Sequence, residues 1–289
     1  MIKVIASDMD GTLLGEDHRI APETLEAVKD ACDAGIRFII TTGREFKGAM
    51  QQLEGTGIVC DYIVSSGAEV RNPRKEIVAL HPMNRELCRR VYGEIKEYPI
   101  SAVFCTSGCN YFVGTPEEGE ESLIRQIQLF HMNMCRDEVT KTDLYREMKE
   151  RSDVIPSLEE LEKTEVPVYK IFLFTGDLEM LDQIRRSQEK NPDIAVSSSF
   201  MTNLEITDIK AQKGPVLKEY IESLGYTMDE VMAIGDSLND LSMLSMDFGA
   251  TVAMGNADWK IKRAAKYVTR SNTEQGVAWA IQELLKRQN

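Results

Sequence analysis

The densest chemistry in the chain lies in Asp8-Met9-Asp10-Gly11-Thr12-Leu13-Leu14, directly after the apolar run Val4-Ile5-Ala6. Two carboxylates separated by one position can converge on a hard cation, and Gly11 permits a sharp departure of the chain. Carboxylate oxygens suit Mg²⁺, which takes an octahedral oxygen shell and keeps several waters. A plain turn is the competing reading, because Asp and Gly are common turn residues. Gly235-Asp236-Ser237-Leu238-Asn239-Asp240 also follows an apolar strand and precedes a helix. Two such loops in one sheet point to a shared metal. Helix capping by Asn239 or Asp240 is compatible with this but leaves Asp236 unexplained.

Two further places offer groups for phosphate. Thr42-Gly43-Arg44 follows the apolar run Phe38-Ile39-Ile40 and combines a hydroxyl, a flexible backbone and a guanidinium. Capping of a following helix would explain Thr42 equally. Lys213 stands at the start of a predicted helix, where the helix dipole disfavours cations. A phosphate or carboxylate facing it would account for that placement, as would a solvated side chain. Phosphoryl transfer needs this combination of groups. A nucleophile approaching a dianion requires neutralising cations and orienting hydrogen bonds. Attack by a carboxylate gives an aspartyl-phosphate that water then cleaves, while a second carboxylate protonates the leaving alcohol and later deprotonates the water.

Elements must hold these residues at the ends of strands. Strands are predicted at Lys3–Ala6, Arg37–Thr41 and Asp61–Val64, and a helix over 22–34 with Pro near its start and Gly35 just past its end. The strands are continuous apolar runs separated by a helical pattern, which indicates a parallel sheet covered on both faces. After Pro82 the pattern changes. Helices are predicted over 84–98, 117–130 and 178–189, and strands at 100–105, 111–113 and 168–174. A hairpin is predicted from 195–199 and 203–207, and residues 136–165 show only weak periodicity. Paired, turn-linked strands suggest an antiparallel α+β block. From Lys213 the first pattern resumes, with helices over 213–224, 240–245 and 276–286 and strands at 231–234, 250–253 and 266–268. The expected fold is α/β: a doubly wound, Rossmann-like parallel-sheet core from residues 1–82 and 209–289, interrupted by an inserted α+β domain over 83–208.

The 289 residues suffice for one large or two ordinary domains, and 43% of them are hydrophobic. A formal net charge of −13 argues against nucleic acid or an anionic membrane as the main partner. Neither a signal peptide nor a run of about 20 apolar residues is recognised, so a cytoplasmic protein is expected. Cys105 and Cys109 with His131 and Cys135 are a loose fit to zinc spacing. Free thiols of a reducing compartment explain all six cysteines more simply. His18, His81 and His131 are read as non-ligands.

The motifs DMDGTLL (8–14), TTGR (41–44), the lysine of QKGPVL (212–217), GDSLND (235–240) and AMGNA (253–257) together span nearly the whole chain. In this order they resemble the haloacid dehalogenase superfamily, specifically Cof-type phosphatases with a large cap of the C2B kind. The resemblance implies Asp8 as nucleophile and Asp10 as general acid/base. It places Mg²⁺ on the Asp8 side chain, the Asp10 backbone carbonyl and Asp236, with Asp240 supporting the metal from behind. It further implies that Thr42 and Lys213 bind the transferred phosphate, that Asn239 assists beside it, and that Gly43 and Arg44 line the substrate side. Members that remove halide lack the second aspartate, so Asp10 favours phosphate chemistry.

Ser66-Gly67-Ala68 replaces a common Asn-Gly-Ala, and Asp208-Ile209-Lys210-Ala211 replaces a Pro-Lys-Gly pattern. Both differences bear on substrate selection rather than phosphate handling. Residues 83–208 then read as the cap, with Phe200, Met201 and Glu205 as candidate substrate contacts. The expected partner is a small phosphorylated metabolite such as a sugar phosphate or phosphorylated cofactor. A phosphomutase or phosphotransferase, or a non-catalytic binder of phosphometabolites, are the alternatives; oligomeric state is not readable.

Overall fold

A computed structural model describes residues 1–130 and 134–288, so His131 lies outside the described residues. The chain first forms β1 (Val4–Ser7), α1 (Pro22–Asp33), β2 (Arg37–Thr41), α2 (Phe46–Leu53), β3 (Asp61–Val64), β4 (Glu69–Arg71) and β5 (Ile77–Leu80). There follow α3 (Arg85–Ile95), β6 (Ser101–Thr106), β7 (Asn110–Val113), α4 (Pro116–Phe130), α5 (Arg136–Val139), α6 (Asp143–Glu150) and β8 (Ser152–Ile155). Next come α7 (Leu158–Lys163), β9 (Val168–Phe174), α8 (Leu178–Gln188), β10 (Ile194–Ser197) and β11 (Asn203–Asp208). The chain ends with α9 (Lys213–Ser223), β12 (Val231–Gly235), α10 (Leu241–Leu244), β13 (Ala250–Ala253), α11 (Trp259–Ala264), β14 (Tyr267–Val268) and α12 (Gly276–Gln288). Two compact units result: Met1–His81 with Lys210–Asn289, and the inserted Pro82–Ile209.

The first unit is an eight-stranded sheet in the order β14-β13-β12-β1-β2-β3-β4-β5. Strands from β14 to β3 are parallel, as their unbroken apolar runs imply, and Val4, Ile5, Ile39, Ile40, Ala233 and Ile234 are fully buried. The sheet is not parallel throughout: β3, β4 and β5 form an antiparallel meander that the sequence patterning leaves unread. Three of the four β5 side chains face solvent at the sheet edge, so no inward-outward alternation marks the strand. The order reverses at β1, with β2 on one side and β12 on the other. In doubly wound sheets the crevice beyond the strand ends at such a reversal receives the ligand. Ser7 pairs with Ile40 and with Ile234, so the loops after β1, β2 and β12 leave the sheet at one level.

A charged knot ties this sheet to its helical cover. Asp61 is fully buried; Arg37 donates to it from Nε at 2.6 Å and from Nη2 at 2.7 Å, and the Tyr220 hydroxyl donates at 2.5 Å. Removing the carboxylate strands a half-buried guanidinium and a phenol. Asp61→Ala is therefore expected to destabilise the protein by about 2–4 kcal/mol, the lower part of the range for broken buried pairs because Arg37 keeps some solvent. Urea unfolding checks it: the midpoint should fall by that free energy divided by the m-value, with the m-value unchanged.

The inserted unit is a six-stranded sheet in the order β10-β11-β9-β6-β7-β8, antiparallel except for the parallel β7–β8 pair. Leu87, Val91 and Ile95 of α3 and Leu181 and Ile184 of α8 pack with Ile171, Leu173, Leu204 and Ile206 of the sheet. A smaller apolar cluster joins α4 to α5 and α6 through Leu123, Ile124, Ile127, Val139 and Tyr145. The weakly periodic stretch 136–165 holds four elements of four to eight residues. Elements that short show too few turns for a hydrophobic period to register.

Candidate active site

After Ser7 the chain leaves the sheet in a wide turn closed by the Leu14 N–H, which donates to the Met9 carbonyl at 2.9 Å. Gly11 sits in this turn at φ +77°, and a Cβ there would lie 2.5 Å from the Asp236 carboxylate. Only glycine satisfies both the backbone and the space. The loop after β12 is thereby drawn against the loop after β1. Thr12 Oγ1 donates to Asp236 Oδ1 at 2.8 Å, and Ser237 Oγ donates to Asp236 Oδ2 at 3.1 Å. From the C-terminal segments, Asn256 Nδ2 donates to the Gly11 carbonyl at 2.8 Å and Asn272 Nδ2 to that of Leu14 at 3.0 Å.

Lys213, the first residue of α9, is fully buried, and its ammonium donates to Asp8 Oδ1 and to Asp240 Oδ1 at 2.6 Å each. This approach requires α9 to pack tightly on α10: a Cβ on Gly214 would lie 2.1 Å from the Ser242 carbonyl oxygen. Asp240 precedes α10 but caps nothing in it. Its Oδ2 instead accepts from the backbone N–H groups of Asp236 and Ser237, both at 3.0 Å. Asp240 thus shapes the loop that presents Asp236. The other oxygen of Asp8, Oδ2, takes part in no hydrogen bond among the described residues.

Carboxylate oxygens of Asp8, Asp236 and Asp240 lie within 4.8 Å of one another. One ammonium does not neutralise three carboxylates in a buried site. Burial, then the Asp240 charge, raises the Asp8 carboxyl well above its ordinary range, against the opposing pull of Lys213. Burial and the Asp240 charge likewise push Asp236 up to about 7, opposed by the Thr12 and Ser237 hydrogen bonds. Burial would lower Lys213, but the charges of Asp240 and Asp8 outweigh it and raise the ammonium. Excess negative charge on hard oxygen donors is the environment that suits a divalent cation, so these residues fit one. The buried Asn239 Oδ1, without a hydrogen-bond partner among the described residues, is a further oxygen in the same loop.

The remaining candidates group differently. Asp10 lies outside the carboxylate cluster, and its side chain pairs with Arg44, whose Nε donates to Oδ2 at 2.7 Å and whose Nη2 donates to Oδ1 at 2.6 Å. Thr42, buried at the end of β2, accepts the Arg44 N–H on its Oγ1 at 3.1 Å. It does not cap α2; Glu45 does, accepting from the N–H groups of Lys47 and Gly48. Gly43 occupies the turn between Thr42 and Arg44. In the inserted unit Glu205 is buried against Lys170 Nζ at 2.9 Å, whereas Phe200 and Met201 are exposed. Thr12, Ser237 and Gln52 are contributors that the sequence reading passes over. The two hydroxyls stand inside motifs already singled out, while Gln52 lies on a helix that reading leaves out.

A profile of the haloacid dehalogenase-like hydrolases matches residues 5–281. Phosphatase YwpJ of Bacillus subtilis (strain 168) is 31% identical, the alignment covering 98% of this chain and all of that protein. The 5-amino-6-(5-phospho-D-ribitylamino)uracil phosphatase YwtE of the same organism is 29% identical over 99% of both chains. A solved haloacid dehalogenase-like hydrolase from B. subtilis superposes with a TM-score of 0.83 at 28% identity, covering 98% of this chain and all of that one. The sheet reversal, the carboxylate loops and these likenesses coincide, and the chain belongs to the haloacid dehalogenase-like hydrolase family as an enzyme of its phosphatase kind.

Proposed function

We propose that this protein is a Mg²⁺-dependent phosphatase that hydrolyses phosphate monoesters of small metabolites through a phosphorylated Asp8. The observation that carries the reading is the state of Asp8: one oxygen is held by Lys213 and the other has no hydrogen bond among the described residues, beside Asp236 and Asp240. A pinned carboxylate with one uncommitted oxygen is a positioned nucleophile.

In the first step the uncommitted Asp8 oxygen bonds to phosphorus as the ester oxygen departs with its electron pair and takes a proton from Asp10. In the second, water attacks phosphorus, Asp10 accepts its proton, and the bond to Asp8 breaks with the pair returning to the carboxylate. Lys213 stays on Asp8 through both and meets the phosphate charge, and the hydroxyl of Thr42 and the amide of Asn239 serve as orienting groups. A Mg²⁺ ion held by Asp8 and Asp236 with the Asp10 carbonyl, Asp240 fixing the loop behind them, would supply the remaining neutralisation of the phosphate dianion. The inserted unit, Pro82–Ile209, is read as the cap, and selection of the alcohol is assigned to it. YwtE is named for a ribityl phosphate, a monoester of a primary alcohol, which supports sugar-like phosphates as the substrate class.

Hydrolysis of p-nitrophenyl phosphate is expected to vanish in chelator and to return with Mg²⁺. At a hundredfold excess over Kd the ion should add about 2.7 kcal/mol of stability. That corresponds to a Tm rise of about 5–10 °C. Hydrolysis that persists in chelator, with a Tm that Mg²⁺ does not move, would overturn the metal dependence.

A further inference from the structure

We propose that Arg44 is the positioning residue of Asp10, acting through it on departure of the leaving group rather than as a binder of substrate; this rests on the acid/base reading of Asp10. Both oxygens of Asp10 lie in the guanidinium fork, at 2.7 and 2.6 Å. A bidentate fork fixes the plane of a carboxylate as well as its distance.

Arg44 is itself built in. Its N–H donates to Thr42 Oγ1 at 3.1 Å, and its carbonyl accepts from the Ser65 N–H at 2.8 Å. With its amide oxygen facing Arg44, Gln52 accepts from Nη1 at 3.3 Å and donates to the His18 carbonyl at 2.7 Å. All three guanidinium nitrogens are therefore engaged by protein acceptors. Asp10 immediately precedes Gly11's sharp turn and has no other side-chain partner among the described residues, so its orientation depends on this fork. The pair is partly open, with 27% of the Arg44 side chain and 36% of the Asp10 side chain exposed. An ion pair so exposed adds little to stability, which leaves orientation as what the fork supplies.

The test compares p-nitrophenyl phosphate with phenyl phosphate, which share a shape but differ in how much the departing oxygen needs a proton. Arg44→Ala is expected to lower kcat on phenyl phosphate by about 30–100-fold, within the range of general acid catalysis, but on p-nitrophenyl phosphate by no more than about 3-fold. KM and Tm should stay close to wild type. Arg44→Lys, which keeps the charge but not the fork, should recover only a minor part of the loss. In an Asp10→Asn background, Arg44→Ala should add less than about 2-fold, because both changes remove one function. Raised KM for both esters with kcat intact, equal losses on both, or full additivity with Asp10→Asn would overturn the proposal. Were Asp10→Asn itself to leave the phenyl phosphate rate unchanged, the acid/base reading beneath it would fall instead.

Discussion

Replacement of Asp8 by Asn is expected to lower kcat for phosphate ester hydrolysis by about 10⁴-fold or more, the scale on which removal of a nucleophile acts. The fold should survive intact. Asn keeps an oxygen for the Lys213 ammonium, which donates to Asp8 Oδ1 at 2.6 Å. It also discards a charge that the site disfavours, since burial and Asp240 hold the Asp8 carboxyl well above its ordinary range. The sign follows from linkage: a carboxyl whose folded pKa is raised carries an unfavourable charge at neutral pH, present above the unfolded pKa. In chelator the Asp8→Asn variant should therefore melt at or above the wild-type temperature. Steady-state kinetics and a thermal scan on the same preparation test both halves.

The opposite outcome is expected for Lys213, the partner in that hydrogen bond. Lys213→Met preserves the apolar stem but strands Asp8 and Asp240, buried and without their shared ammonium. Breaking a buried pair by removing one partner costs about 3–5 kcal/mol. Tm should fall by about 6–20 °C. Activity should drop about 10³-fold through loss of a cation aimed at the transferred phosphate. Mg²⁺ should restore part of the lost stability by supplying positive charge to the same carboxylates, without restoring the rate. Two substitutions across one 2.6 Å contact thus move stability in opposite directions. A pair that merely decorated the fold would not behave so.

Much of this arrangement is legible in the residues. The continuous runs Phe38-Ile39-Ile40 and Val231-Met232-Ala233-Ile234 announce buried parallel strands, and the acidic loops that follow β1 and β12 meet because those strands are neighbours. Lys213 betrays itself by standing at a helix start where a cation is out of place. What escapes the sequence is whatever depends on partners rather than pattern. β5 lies exposed at a sheet edge, and α2 contains Gly48, which weakens the helical signal. With α2 unread, Gln52 has no address, and the hold on Arg44 cannot be seen. Nor does a list of aspartates say that Asp10 faces a guanidinium while Asp240 faces an ammonium and two backbone N–H groups. Those assignments follow from rotamers and loop closure, which no spacing encodes.

The central claim is that the phosphoryl group passes through Asp8. Its most direct test is mass spectrometry of peptides from Asp10→Asn protein, acid-quenched during turnover with Mg²⁺ and p-nitrophenyl phosphate. With Asp10 unable to activate water, the phosphoenzyme should accumulate, and the added mass of one phosphoryl group should map to Asp8 and be absent when Asp8→Asn is introduced as well. A phosphoryl group on any other residue, or one that persists without the Asp8 carboxylate, would contradict the mechanism.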